Sequence, residues 1–327
     1  MDGFNRDAVV DMESDASSGT SIEDVFVELG HLIKAKQRML RLIELGRNKR
    51  ECPCMCVVGP TGIGKTMLLN ETFSEKRFAQ RREETGLVTP ILRVDARPNV
   101  TTKGMAELLL RTLHDKHPSK GTEHSMVGRL EVLLRAQRTE LIVIDEAQSL
   151  TRSMYAASDF LKHLLNRGIC SILLVGLPPA EDLLDSNSQL QGRSLATIRL
   201  PAFDWSDRVQ RQQWRGLLAT LQDEVRELAG PLNLSSGAIA AGLNYATRGL
   251  LRELRQLLQE AIQISTDRKA LMDVQDLAEA FERRRGPLTR NHSNPFVTGV
   301  LPEAWQPAPF QEGTDKRKSI SKKESHG

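Results

Sequence analysis

Residues 59–66 read Gly-Pro-Thr-Gly-Ile-Gly-Lys-Thr, the complete pattern G-x-x-x-x-G-K-[ST]. The chemistry this pattern performs is phosphate binding. Its glycines let the backbone curl so that successive N–H groups point at an anion. Lys65 adds a point charge for the β- and γ-phosphates, and Thr66 offers a hydroxyl to Mg²⁺. The residues expected to contact nucleotide are Gly59, Pro60, Thr61, Gly62, Ile63, Gly64, Lys65, Thr66 and Met67. The flanks agree: Met55–Val58 is apolar and strand-like, and Met67–Phe73 has helical character. A helix there turns its N-terminus toward the anion.

A second chemical group follows downstream. Leu141-Ile142-Val143-Ile144-Asp145-Glu146 is an apolar run ending in two acids. An uninterrupted apolar strand suits a parallel sheet covered on both faces, and ligands gather at the carboxyl ends of such strands. Asp145 is therefore the expected Mg²⁺ residue beside Thr66. Glu146 is the expected base or orienting group for an attacking water. Together the two segments specify ATP and Mg²⁺ as cofactors.

The elements that must hold these residues alternate. Apolar strands are expected at Met55–Val58, Pro90–Asp95, Leu141–Asp145, Ser171–Gly176 and Ala196–Leu200. Helical periodicity covers about His31–Arg47, Thr102–His114, Ser125–Gln137, Ser153–Asn166 and Pro179–Asp185, with a helix beginning at Thr66. Strands alternating with helices imply a parallel sheet with helices on both faces. After Pro201 the pattern changes to helices alone, at about Ser206–Leu228, Ser236–Ala246, Leu250–Thr266 and Val274–Arg285. The expected fold class is thus α/β, a phosphate-loop NTPase sheet followed by a small all-α lid. The expected boundaries are 29–202 for the core and 203–286 for the lid.

The ends differ in charge. Residues 1–28 hold eight acids and one base, and read as a disordered acidic segment. Residues 283–327 hold nine bases and four acids, and 287–327 reads as a flexible basic tail. Aromatic residues make up 4% of the chain, which argues against recognition by base stacking. No apolar run is long enough to span a bilayer and no signal segment opens the chain, so the expected location is cytoplasmic, with no membrane partner. Cys52, Cys54 and Cys56 alternate through the strand that feeds the phosphate loop. Period-2 geometry puts them on one face, where cysteine acts as a small buried hydrophobe rather than a metal ligand.

An α/β NTPase core with a helical lid resembles the AAA+ ATPases. On that resemblance Arg193, in Gln191-Gly-Arg-Ser194, takes the place of the arginine finger that completes a neighbouring subunit's site; Arg199 competes for the role. Gly249-Leu-Leu-Arg252 resembles the sensor-2 motif, whose arginine contacts nucleotide from the lid. Within AAA+, the Asp145-Glu-Ala-Gln148 segment, Leu174-Val-Gly-Leu-Pro178 and the Leu200-Pro-Ala-Phe203 opening of the lid are similar to the TniB/TnsC transposition regulators. That resemblance spans about residues 30–286.

It implies a ring or helical filament on double-stranded target DNA, sequence-independent contacts, and recruitment of a DDE transposase with help from a target-selection protein. It also implies DNA contacts from the start of the helix near Thr102, through Thr101, Thr102 and Lys103, with Arg97 joining. The competing local reading is that a threonine caps this helix, and the basic tail is the rival DNA site.

Two departures stand out. Val175-Gly176-Leu177 lacks the polar residue that many relatives carry there, which suggests slow, switch-like hydrolysis. Asp95 stands where a neutral polar residue often restrains the catalytic glutamate, and Asp95, Arg97 and Asn99 all remain candidates for that task. Two other functions stay open: an AAA+ helicase loader or initiator-type adaptor, and a nucleotide-gated protein scaffold that binds no DNA.

Overall fold

A computed structural model of the chain describes residues 29–47, 52–224, 226, 232–285 and 293–298. The acidic segment 1–28, most of the basic tail and the Leu301–Trp305 stretch lie outside the described residues. In chain order the core contains α1 (Gly30–Arg47), β1 (Cys54–Val58), α2 (Lys65–Thr72), β2 (Arg81–Glu83), β3 (Gly86–Val88) and β4 (Ile91–Asp95). It continues with α3 (Thr102–Thr112), α4 (Glu123–Ala136), β5 (Leu141–Asp145), α5 (Met154–Asn166) and β6 (Ser171–Gly176). Two four-residue helices, α6 (Asp182–Asp185) and α7 (Ser188–Gln191), lead to β7 (Ile198–Arg199).

The strands form one parallel sheet in the order β4-β5-β6-β1-β7. Burial explains their composition. β1 and β6 are buried along their whole length and β5 along all but Asp145, so they read as continuous apolar runs. β4 lies at the edge and alternates, with Leu92 and Val94 inward and Arg93 and Asp95 exposed.

The two faces pack separately. Met55, Val57, Val143, Leu173 and Val175 join α1 and α2 on one side. Cys54, Cys56, Ile142, Ile144 and Leu174 meet α3, α4 and α5 on the other. Cys52 and Cys170 share that second cluster, and all four cysteines are buried free thiols. Burial pushes the Cys54 thiol up to about 12, so it stays protonated, as a packing residue should. Among the described residues no cluster of His, Cys, Asp or Glu is arranged to hold a metal.

α1 buries Leu32, Ala35, Met39, Leu42 and Ile43, the face its periodicity selects. The hairpin β2–β3 was not foreseen. Its strands are three residues long, and Arg81-Arg82-Glu83 carries no apolar alternation to detect.

The lid contains α8 (Arg208–Glu224), α9 (Gly237–Thr247), α10 (Leu251–Asp267) and α11 (Val274–Arg283). Trp214 of α8 is fully buried, donates its Nε1–H to the Ala240 carbonyl at 2.9 Å and lies against Phe203, with ring centres 5.4 Å apart. A short helix, α12 (Pro295–Thr298), revises the tail reading for its own residues. Asn294 donates to the Ala278 carbonyl at 2.9 Å, and Phe296 packs edge-on to Phe281. Residues 293–298 therefore dock on the lid, although they were assigned to a flexible tail; Pro295 and Phe296 supply the apolar contact, while Val297 faces solvent.

The segment that opens the lid is pinned to the lid helices by a close approach at Gly249. Phe203 N–H donates to the Gly249 carbonyl at 3.1 Å, and Asn244 Nδ2 donates to the Phe203 carbonyl at 3.0 Å. Gly249 has φ +67°, and a Cβ there would sit 2.2 Å from the Phe203 oxygen. Gly249→Ala should therefore cost about 2–5 kcal/mol, from left-handed strain plus overpacking against rigid backbone. Thermal melting checks this, and an unchanged melting temperature would refute the fastening.

Candidate nucleotide site

The sheet register levels the carboxyl ends of its central strands. Val58 pairs with Gly176, and Asp95 with Asp145. The phosphate loop, both acids and the end of β6 thus meet at one end of the sheet. Gly59 leaves β1 with its N–H donating to the Gly176 carbonyl at 3.2 Å. A Cβ on Gly59 would lie 2.4 Å from the Leu200 carbonyl, so the loop can leave the sheet here only as glycine. Ile63 is buried and anchors the loop to the core. Gly64 closes it at φ +95° and starts α2, whose first N–H groups face the cleft.

Lys65 Nζ donates to the Gly59 and Pro60 carbonyls at 2.9 and 3.0 Å. The ammonium is thereby held at the loop's own centre, over the ring of N–H donors. Its pKa is lowered, chiefly by desolvation; the Arg252 charge adds to this, while Glu146 and Asp145 oppose it. An anion in the cleft would reverse that shift. The cradle, the Lys65 ammonium and the two carboxylates fit a magnesium-bound nucleoside triphosphate.

Asp145 is half-buried at the tip of β5. Burial raises its pKa, opposed mainly by the Glu146 N–H, which donates to Asp145 Oδ1 at 2.9 Å. Glu146 adopts φ 52°, ψ 34°, a left-handed conformation that costs a non-glycine residue about 1–3 kcal/mol. The 3₁₀ turn Ala147–Ser153 follows at once, with Ser149 N–H bonded to the Glu146 carbonyl at 2.8 Å. This bend turns the Glu146 side chain out of the strand and into the cleft.

The lid closes the site. Arg252 N–H donates to the Gly62 carbonyl at 2.9 Å, and a Cβ on Gly62 would touch Arg252 Cβ at 3.1 Å. The resulting cleft, about 330 Å³, gathers Thr61, Gly62, Gly64, Lys65, Thr66 and Met67 of the loop with Asp145 and Glu146. Leu251, Arg252, Arg255 and Gln256 line it from α10. Arg252, the residue matched to the sensor-2 motif, thus lines the cleft. Arg255 and Gln256 were missed, though Arg255 follows Arg252 by one helical turn and that spacing shares a face.

Gln148 was missed as well. Its Nε2 donates to Glu146 Oε2, and its Oε1 accepts from the Leu177 N–H at 3.0 Å. Among the described residues, no hydrogen bond joins Asp95, Arg97 or Asn99 to Glu146; Gln148 makes that contact instead. The signal was its position two residues after the acid.

Other expected site residues lie apart from the cleft. Arg193 sits at the amino end of β1, where its carbonyl accepts from Cys54 N–H at 3.1 Å, while the phosphate loop leaves the opposite end of that strand. Arg199, its rival, is ion-paired with Glu181. Thr101 caps α3, accepting from Gly104 N–H at 3.1 Å, as the local reading anticipated. Arg97 and Lys103 are exposed, and Thr102 is partly so.

A phosphate loop on an inner strand of a five-stranded parallel sheet, covered by a helical lid bearing an arginine, defines an AAA+ ATPase fold. Within that class the chain belongs to the TniB family: residues 21–205 match the model described as Bacterial TniB protein. Among curated proteins no relative matches.

Solved structures share the fold. The CDC6p structure from Pyrobaculum aerophilum is 15% identical with a TM-score of 0.59, over 79% of this chain and 68% of that one. The Aeropyrum pernix ORC1 protein in complex with DNA is 18% identical with a TM-score of 0.57, over 80% of this chain and 66% of that one. The Drosophila ORC bound to DNA is 12% identical with a TM-score of 0.54, over 89% and 72%. No helix among the described residues is long and apolar enough to cross a membrane.

Proposed function

We propose that this chain is an ATP-dependent, DNA-associated regulator of transposition that assembles on target DNA as a ring or filament and recruits a transposase. The observation that carries this reading is the single cleft uniting Lys65, Thr66, Asp145, Glu146 and Arg252 in a TniB chain. The loop N–H groups and Lys65 hold the phosphates, and Arg252 closes over them from α10. Thr66 and Asp145 hold Mg²⁺, which when bound neutralises phosphate charge. Glu146 accepts the proton of the attacking water. Hydrolysis is slow and acts as a switch between assembled and released states.

Arg193 lies too far along β1 from its own phosphate loop to act within one chain, which supports a role across a subunit boundary. Two structural neighbours are described as bound to DNA, and they support a duplex partner by analogy of fold. The DNA surface is the start of α3, with exposed Lys103 and Arg97 as phosphate contacts. The Thr101 hydroxyl oxygen serves the helix cap while Thr102 remains available.

Sedimentation with random duplex and ADP, ATP or a slowly hydrolysed analogue tests this function. Large DNA-bound species should form with the analogue, weaken steeply with salt, and diminish in Arg193→Ala and Lys103→Ala. A protein that stays monomeric with analogue and duplex would overturn the assembly. One that assembles without DNA would favour the scaffold reading. Binding lost only on truncation after Arg285 would transfer the DNA site to the basic tail.

A further inference from the structure

We propose that Gln148 is a positioning residue for ATP hydrolysis, fixing Glu146 and tying it to the phosphate loop through the Gly176–Leu177 peptide. The proposal rests on the ATPase reading above. Four groups form one hydrogen-bonded chain. Gly59 N–H, at the root of the phosphate loop, donates to the Gly176 carbonyl at 3.2 Å. The same peptide unit turns its other end, the Leu177 N–H, to Gln148 Oε1 at 3.0 Å. Gln148 Nε2 then donates to Glu146 Oε2. A peptide bonded at both its carbonyl and its N–H is polarised by each partner, so the links reinforce one another.

The amide orientation follows from its partners. Reversing it would set an oxygen against the Glu146 carboxylate and an NH₂ against the Leu177 N–H, leaving two repulsive contacts. The space follows from Gly176. A Cβ there would stand 2.3 Å from Gln148 Oε1 and 3.1 Å from Ala147 N. Position 176, which lacks a polar side chain, is therefore small so that a glutamine from the neighbouring strand's exit can reach across it. The polar contact missing at the end of β6 is supplied by the turn after β5.

Glu146 needs such a partner. It is exposed, and among the described residues its other hydrogen bonds are made by its backbone. Without Gln148 its carboxylate would sample several rotamers and meet the water in few of them.

The test is steady-state ATP turnover of the full chain with duplex DNA, alongside nucleotide binding and melting. Gln148→Ala should lower kcat about ten- to a hundredfold, a part of what a positioned base contributes, with KM and nucleotide affinity within about threefold. Gly176→Ala should reproduce that split, because its methyl displaces the untouched glutamine. Gln148→Glu keeps an acceptor for Leu177 N–H but sets a second carboxylate against Glu146. Its turnover should fall at least as far as that of Gln148→Ala, again without loss of nucleotide affinity.

Equal turnover of Gln148→Ala and the parent would overturn the proposal. So would a loss of turnover matched by lost nucleotide affinity and melting temperature, or parent-level turnover in Gln148→Glu. A parent that binds nucleotide yet never turns it over would remove the hydrolytic reading, and this proposal with it.

Discussion

Lys65→Ala should lose nucleotide affinity by at least about 100-fold, because a charge-assisted contact to phosphate contributes about 1.5–3 kcal/mol and Lys65 can serve two phosphates. The free protein sets the size of the effect. Its ammonium already bonds the Gly59 and Pro60 carbonyls, so binding exchanges those contacts for phosphate oxygens instead of creating them from nothing. Desolvation is borne in the free state, as the lowered pKa of Lys65 records, and it is relieved when an anion arrives. Titration calorimetry with an ATP analogue measures the loss, and thermal melting of the free variant separates it from misfolding. A variant that binds within about tenfold of the parent would mean that the loop N–H groups dominate and the lysine assignment is wrong.

Glu146→Gln should behave in the opposite way. Binding should stay within a few-fold, while turnover falls by about 10²–10⁴, the usual contribution of a positioned general base. The amide keeps an oxygen for Gln148 Nε2, so the turn after β5 need not rearrange. It removes the proton acceptor alone. With hydrolysis stopped, the proposed DNA-bound assembly should persist in ATP as it should in the analogue. Turnover at the parent rate would dismiss Glu146 from the chemistry.

The two variants also divide the reading of the molecule. Loss of binding in the first with retained binding in the second identifies a nucleotide switch. Normal assembly of both on DNA without nucleotide would leave the cleft unconnected to assembly.

Much of this was legible in the chain itself. The phosphate loop, the Asp145-Glu146 pair and the five strands follow from local chemistry, because glycine spacing, apolar run length and helical period are properties of adjacent residues. The lid helices were read within a few residues of their observed ends for the same reason. Buried cysteines alternating along β1 followed from the two-residue period of a strand.

What depended on distant segments was not legible. Gly176 looked like a missing polar residue until the fold brought Gln148 across it; a side chain can fill a role vacated in another strand, and no local pattern records that. Arg255 and Gln256 became site residues only when the Arg252 N–H bonded the Gly62 carbonyl and set α10 over the loop. Arg193 was matched to the arginine finger only by resemblance, and the register of Ser194 beside Cys54 set it at the far end of β1. Sequence determined which groups could do chemistry, since that is fixed by covalent structure and local spacing. The tertiary structure decided which of them meet, since contacts between strands and across the lid depend on how the whole chain packs.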